Sequence, residues 1–516
     1  MNRLHETELG HTAGASESDP HPVRNSSVAA GRPSKPSRII APGRNIWRIE
    51  QATRAAVLVD ADAYYRCLEQ SLLMARRSIW VLGWDFNGRI SLRPDEGANS
   101  ETLGSLLRGL VEKHEELEIR LLIWDLGAIY SQKRLTLSLD EEWSNHPRIH
   151  LRLDNKHPLR ASHHQKLVCI DDTVAFAGGI DLTIKRWDTS EHLAGHPART
   201  EPDGTLYAPV HDIQMAVEGD AAVALGDLAR QRWHVATGEE HGPAHLDAEC
   251  WPAGLVPDLV DTKVAIARTR PAQSGRATRR EAALLNHDAL TSARHSIYIE
   301  TQYFASSAIG RILANRLKEK DGPEIVILVT ESARGVFERF VMGGNRDRLI
   351  RRMRKADRFG RLRVMYAVVP GRDDKECEVL IHSKLVIVDD RFLRIGSSNL
   401  NNRSEGLDTE CDLAVEAKDQ DQRRAIASLR DRLLAEHLES TPEAVRSTVE
   451  EEGSLVRAID RLNTQARGLR EFKVGSGGTG LLFGTGLLDP KRPYWPLQWL
   501  FQRFRQWAHR VSGGFS

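Results

Sequence analysis

HHQKLVCIDD, residues 163–172, and IHSKLVIVDD, residues 381–390, are near copies of one another. Each sets a histidine, a lysine and an aspartate among Leu, Val, Cys and Ile residues that read as a buried strand. His164, Lys166 and Asp171 return as His382, Lys384 and Asp389, all displaced by 218 positions. The same displacement carries ARRSIWVLGWDF (75–86) onto ARHSIYIETQYF (293–304), and AGGIDL (177–182) onto IGSSNL (395–400). Three blocks at one offset mark an internal duplication. EIRLLIWD (118–125) matches EIVILVTE (324–331) at an offset of 206, and DIQMAVEG (212–219) matches ECDLAVEA (410–417) at 198, so the copies differ by insertions between blocks.

Each half reads as helix, buried strand, helix, buried strand, then the His-Lys strand and one more. Short β-branched runs alternating with helical segments imply an α/β fold of sheets covered on both faces. The expected architecture is two duplicated α/β/α sandwich lobes about a pseudo-two-fold axis, a dimer fused into one chain, with His164 and His382 face to face. The expected divisions are a disordered leader (1–45), an N-terminal lobe (46–245), a C-terminal lobe (246–440) and a tail (441–516).

Composition narrows the class. Among 516 residues, 72 Lys and Arg nearly balance 71 Asp and Glu, so no global positive field supports a nucleic-acid partner. Five cysteines, an odd number with no C-x-x-C pair, argue against a disulfide framework or a structural zinc site. The leader is rich in Ser, Pro and Gly, lacks a secretory h-region, and no run of about 18 apolar residues follows. A protein that works at a bilayer surface without spanning it is expected, either cytoplasmic or exported without a cleavable leader.

On a strand, residues i and i+2 share a face, so each histidine points with its lysine. Two lysines suit phosphate oxygens, and Asn399, with its repeat mate Asp181, follows in the next strand or turn, a position from which an amide can donate to the same oxygens. In such a clamp one imidazole can attack phosphorus while the other protonates the leaving oxygen, without a metal ion or other cofactor. Each imidazole needs a carboxylate on its second nitrogen; Asp212 and Glu410, repeat mates, are the candidates, in either pairing. Asp171 and Asp389 complete the motif in an ordering role. Glu300, Gln302, Tyr303, Trp84, Trp187 and Asp188 are placed either at the cleft or in the packing beside it.

The doubled H-x-K-x-x-x-x-D, with GGIDL and GSSN behind it, resembles the phospholipase D superfamily, over residues 50–435. The stretches HDIQMAVEG, IYIETQYF and IHSKLVIVDDRFLRIGSSNLNNRS are similar to its eukaryotic-type branch, without the targeting modules those enzymes carry. The resemblance implies a phosphodiesterase releasing the head group of phosphatidylcholine or a related glycerophospholipid, with transfer to primary alcohols as a side reaction. It also implies His164 as nucleophile and His382 as general acid, with Ser397 in the GSSN turn as a supporting residue. A cardiolipin synthase-like transferase and a nucleic-acid phosphodiesterase are the alternatives. Two surface elements are candidate lipid contacts: the basic stretch 345–361, and the aromatic and basic segment 494–511 behind a Gly-rich run.

Overall fold

The computed structural model describes residues 38–125, 142–158, 161–244, 249–273, 277–331, 336–371 and 375–474. The leader up to residue 37, the Gly-rich run and the segment 494–511 lie outside them. Strands are numbered in chain order. The first half contributes β1 (Arg48–Val59), β2 (Ser78–Gly83), β3 (Glu118–Trp124), β4 (Ile149–Asp154), β5 (Leu167–Ile170), β6 (Val174–Gly178), β7 (Val210–His211) and β8 (Ile213–Glu218). The second contributes β9 (Leu259–Arg270), β10 (Arg279–Arg280), β11 (Ser296–Thr301), β12 (Glu324–Val329), β13 (Leu362–Pro370), β14 (Glu376–Ile381), β15 (Lys384–Val388), β16 (Phe392–Gly396), β17 (Glu410–Glu416) and β18 (Gly468–Glu471).

Pairing runs β4-β3-β2-β5-β6-β8-β1 through the first half and then β9-β17-β16-β15-β11-β12-β13 through the second. The order reads the same from either end, as a two-fold relation between the copies requires. Its centre is the antiparallel seam of β1 and β9, where Ile49 lies opposite Ala265 and Arg54 opposite Val260. β2, β3 and β4 are mutually parallel, as are β11, β12 and β13; helices Leu103–Lys113, Ser307–Lys318 and Val336–Ala356 connect β2 to β3, β11 to β12 and β12 to β13.

Side-chain alternation explains the layers. On β2, Ile79 and Val81 enter one core with the helices Asp60–Met74 and Leu103–Lys113, while Trp80 and Leu82 enter the core on the opposite face. That second core holds the apolar sides of the helices Asp220–Thr237 and Gln420–His437 and draws on both halves. A third core gathers Glu281–Ser292, Ser307–Lys318 and Val336–Ala356 over the second half. A strand apolar on both faces therefore stands between two layers. No helix among the described residues is long and apolar enough to cross a membrane.

Several expectations are revised. The His-Lys pairs precede or bridge strands: His164 and Lys166 lie ahead of β5, and His382 lies between β14 and Lys384, the first residue of β15. The cause is hydrogen bonding across the halves. His164 N–H donates to Thr409 O at 3.1 Å and His382 N–H to His211 O at 2.8 Å. The stretch 38–45, assigned to the leader, is packed: Ile39 and Ile40 join the second-half core, and both donate N–H groups to the Glu416 carboxylate. Residues 442–474, assigned to the tail, form helices Pro442–Glu452 and Leu455–Leu462, and β18 pairs with β13. The basic stretch is divided: Leu349, Ile350 and Met353 are buried and Arg361 is bonded to the carbonyls of Leu317, Glu319 and Gly322, while Arg348, Arg352, Lys355 and Arg358 are exposed.

Asp171 and Asp389 bind backbone, away from the imidazoles. Asp171 accepts the N–H groups of Arg76, Arg77 and Ser78 at 2.6–2.8 Å, and Asp389 those of Arg294, His295 and Ser296 at 2.7–3.0 Å. Each thereby fixes the entry to a central parallel strand. Both adopt positive φ, 51° and 54°, a region that Asp tolerates better than most residues. Replacing Asp171 by Ala strips three donors of their acceptor and is expected to cost about 3 kcal/mol. Urea unfolding of the variant with an unchanged m-value and no loss of midpoint would disprove that role.

Candidate active site

The two imidazoles are each held by a carboxylate of the other half. His164 Nδ1 lies 2.9 Å from Glu410 Oε2, and His382 Nδ1 lies 2.5 Å from Asp212 Oδ2. This crossing follows from the backbone. The pairing of His163 with Thr409 sets Glu410 beside His164, and that of Ile381 with His211 sets Asp212 beside His382. With Nδ1 engaged, Nε2 is the nitrogen each ring has to offer. His164 keeps more exposure, 17% of its side chain against 8% for His382. Burial, reinforced by Lys166 and Lys384, holds His164 well below the usual histidine range. Burial and then the Lys384 ammonium push His382 down to about 3.

The lysines are almost fully buried. Lys166 Nζ lies 3.1 Å from Asp181 Oδ2 and donates to His164 O at 3.2 Å. Lys384 donates to Gln302 Oε1 at 3.4 Å and to the His382 carbonyl. Burial drives Lys384 down to about 7, with Lys166 and Arg186 adding to the fall against the pull of Asp212 and Glu410. The electrostatic reach of Lys166 and Lys384 to one another, and of Lys384 to His164, puts both halves' motifs in one site.

The repeat mates differ here in kind. Asp181 accepts Trp84 N–H at 2.8 Å and holds Lys166; burial opposes its charge, and Lys166 and Arg186 still keep it below the usual carboxylate range. Asn399 is buried with its Oδ1 unpartnered. Ser397 donates to Glu410 Oε2 and accepts Cys411 N–H at 3.0 Å, so it orients the carboxylate of His164.

Glu300 does not line a cleft. It is fully buried and accepts from Tyr298 at 2.6 Å, Ser383 at 2.7 Å and His211 Nε2 at 2.9 Å. Through Ser383 it fixes the link between His382 and Lys384. Trp187 and Asp188 are buried, whereas Trp84 is half-buried and stacks on Trp124 with centroids 5.5 Å apart. Sequence reasoning overlooked Arg186, whose charge acts on His382, Lys384 and Asp181. Its one signal was its place in IKRWD, close behind GGIDL.

Two family models match the chain: one described as phospholipase D over residues 71–252, and one described as cardiolipin synthase, PLD-like domain, over 287–431. They fall on successive halves of the duplication. The chain belongs to the phospholipase D superfamily. Phospholipase D1 of Saccharomyces cerevisiae is 25% identical over 487 residues, covering 74% of this chain and 28% of that one. Phospholipase D2 of Bos taurus is 24% identical over 475 residues, covering 71% and 49%. The chain thus spans under half the length of these relatives. Among solved structures, phosphatidylserine synthase of Haemophilus influenzae Rd KW20 superposes with a TM-score of 0.48 at 14% identity, over 80% of this chain and 96% of that one.

Proposed function

We propose that this chain is a phospholipase D-type phosphodiesterase that cleaves glycerophospholipids to phosphatidic acid and a free head group through a phosphohistidine. The observation that carries this reading is the crossed pair of His-carboxylate couples flanking two buried lysines. His164 Nε2 attacks phosphorus as the bond to the head-group oxygen breaks, and His382 Nε2 delivers a proton to that oxygen. Water, activated by His382 acting now as base, then displaces His164 and completes phosphatidic acid. A primary alcohol in place of water yields the phosphatidyl alcohol.

Lys166, Lys384 and Arg186 neutralise the non-bridging oxygens, so no metal ion takes part in the step. The anionic phosphodiester in turn offsets these cations and returns His382 toward the protonated form that the acid step needs. The substrate meets the enzyme at a phospholipid surface, and one chain supplies the whole site.

Incubation with phosphatidylcholine, phosphatidylethanolamine and phosphatidylglycerol, with and without a primary alcohol, tests the reading by identifying both products. Phosphatidic acid with free head group supports it. The match to a model described as cardiolipin synthase favours transfer as a second reading. Phosphatidyl products formed from phosphatidylglycerol without added alcohol would establish it.

Lys384 sets an expected pH dependence. In the free site its neighbours are His382, Asp212, Lys166, Arg186 and Glu410, and it stays charged only below about 7. kcat/KM should fall as pH rises past that value, because the phosphate loses one of its cations, while kcat, measured on the complex, falls later. A kcat/KM flat between about pH 6 and 9 would contradict the assignment.

A further inference from the structure

Behind the site lies a second group of titratable side chains that the phosphoryl chemistry does not use. Asp60, at the start of the helix Asp60–Met74, His192, His211 on β7, and Glu436, in the last turn of the helix Gln420–His437, bring one ligand atom each within 4.8 Å of all the others. Asp60 and both histidines are essentially inaccessible, and the Glu436 side chain is 8% exposed. His192 Nε2 lies 3.1 Å from Glu436 Oε1 and 3.6 Å from Asp60 Oδ2. His211 Nδ1 lies 2.9 Å from Glu436 Oε1 and 3.1 Å from Asp60 Oδ1. Ligands at 2.0–2.1 Å from a tetrahedral zinc ion stand about 3.3 Å apart, close to the 2.9–3.6 Å of these four histidine–carboxylate pairs.

Two further observations separate this group from a packed set of ion pairs. First, His211 Nδ1 and Asp60 Oδ2 are buried without a directed hydrogen bond, although both are within reach of charged neighbours. An atom aimed between its neighbours is placed to bind a common centre. Second, each histidine gives its other nitrogen to an outer carboxylate: His192 Nδ1 to Asp188 at 3.0 Å and His211 Nε2 to Glu300 at 2.9 Å. Carboxylates behind the imidazoles fix ring orientation and tautomer in histidine metal sites. Four carboxylates, Asp60, Asp188, Glu300 and Glu436, face the two imidazoles, and Arg199 lies on Asp188 at 2.7 Å.

We propose that Asp60, His192, His211 and Glu436 bind one divalent transition-metal ion, with zinc the best match to a closed site of two imidazoles and two carboxylates. Asp60, His192 and His211 come from the first half and Glu436 from the second, so the ion staples the halves together. It does not touch the phosphate. Its effect on the site runs through His211, whose carbonyl accepts the His382 N–H and whose neighbour Asp212 orients that ring.

The test is metal content and coordination in the full chain, produced with zinc supplied and freed of loosely held ions by gel filtration. About one zinc per chain is expected, and cobalt exchanged into the site should give the intense visible bands of tetrahedral coordination. Glu436→Gln and His192→Gln should retain under about a tenth of the metal. Asp188→Asn, which removes the outer carboxylate of His192 together with the buried partner of Arg199, should weaken zinc binding about ten- to a hundredfold. Metal below about a tenth per chain in the unaltered protein, with an unfolding temperature indifferent to zinc, would overturn the proposal. So would metal retained undiminished in both ligand variants. Should those variants fail to fold, the cobalt spectrum of the unaltered chain decides alone, and a six-coordinate spectrum refutes the site.

Discussion

His164→Ala is expected to lower head-group release by about 10⁴-fold or more and to remove any acid-quenched phosphoenzyme. The size of the loss follows from the position of the residue. Its Nδ1 is committed to Glu410, its Nε2 is the group offered to substrate, and burial with two neighbouring lysines keeps the ring neutral and its lone pair available. No neighbour replaces it, since His163 is turned inward with Nδ1 3.2 Å from Asp154. Trapping with phosphorus-labelled lipid measures the intermediate directly. A variant that keeps a rate within about tenfold of the parent would exclude His164 as the nucleophile.

His382→Asn should separate substrates by their leaving groups. An amino-alcohol head group departs as a poor alkoxide unless it is protonated, so its cleavage is expected to fall about 10³-fold. An aryl phosphodiester releases a stabilised phenolate and should lose about tenfold or less. The comparison isolates the proton transfer, because both substrates use the same phosphate clamp. Equal losses on the two substrates would mean that His382 positions the phosphate and donates no proton.

What could be read from the sequence was what repeats locally. The His-Lys motif, the flanking apolar runs and the insertions between blocks revealed the duplication, because titratable residues inside β-branched strands stand out without knowledge of any partner. The seam was not legible in the same way. β1, RIEQATRAAVLV, mixes polar and apolar residues without strict alternation, and its mate β9 lies outside the matched blocks. The pairing of carboxylates with histidines was open for a related reason. Both pairings are compatible with the repeat, and only the cross-half backbone bonds at Thr409 and His211 decide between them. Glu300 was ambiguous because a glutamate at a strand end suits a cleft as well as a buried hub, and its partners His211 and His437 are remote in sequence. Ile39 and Ile40 were hidden by the polar leader before them.

The exchange of carboxylates between halves makes the seam a mechanical interlock. If β1 slid along β9 by two residues, the halves would shift by roughly 7 Å. Both imidazoles would then part from their carboxylates in the same movement. Damage at the join therefore cannot yield a half-working catalyst with one competent base; it silences attack and leaving-group protonation together. Two fragments divided between the lobes should likewise be inert alone and recover function only as a correctly registered pair.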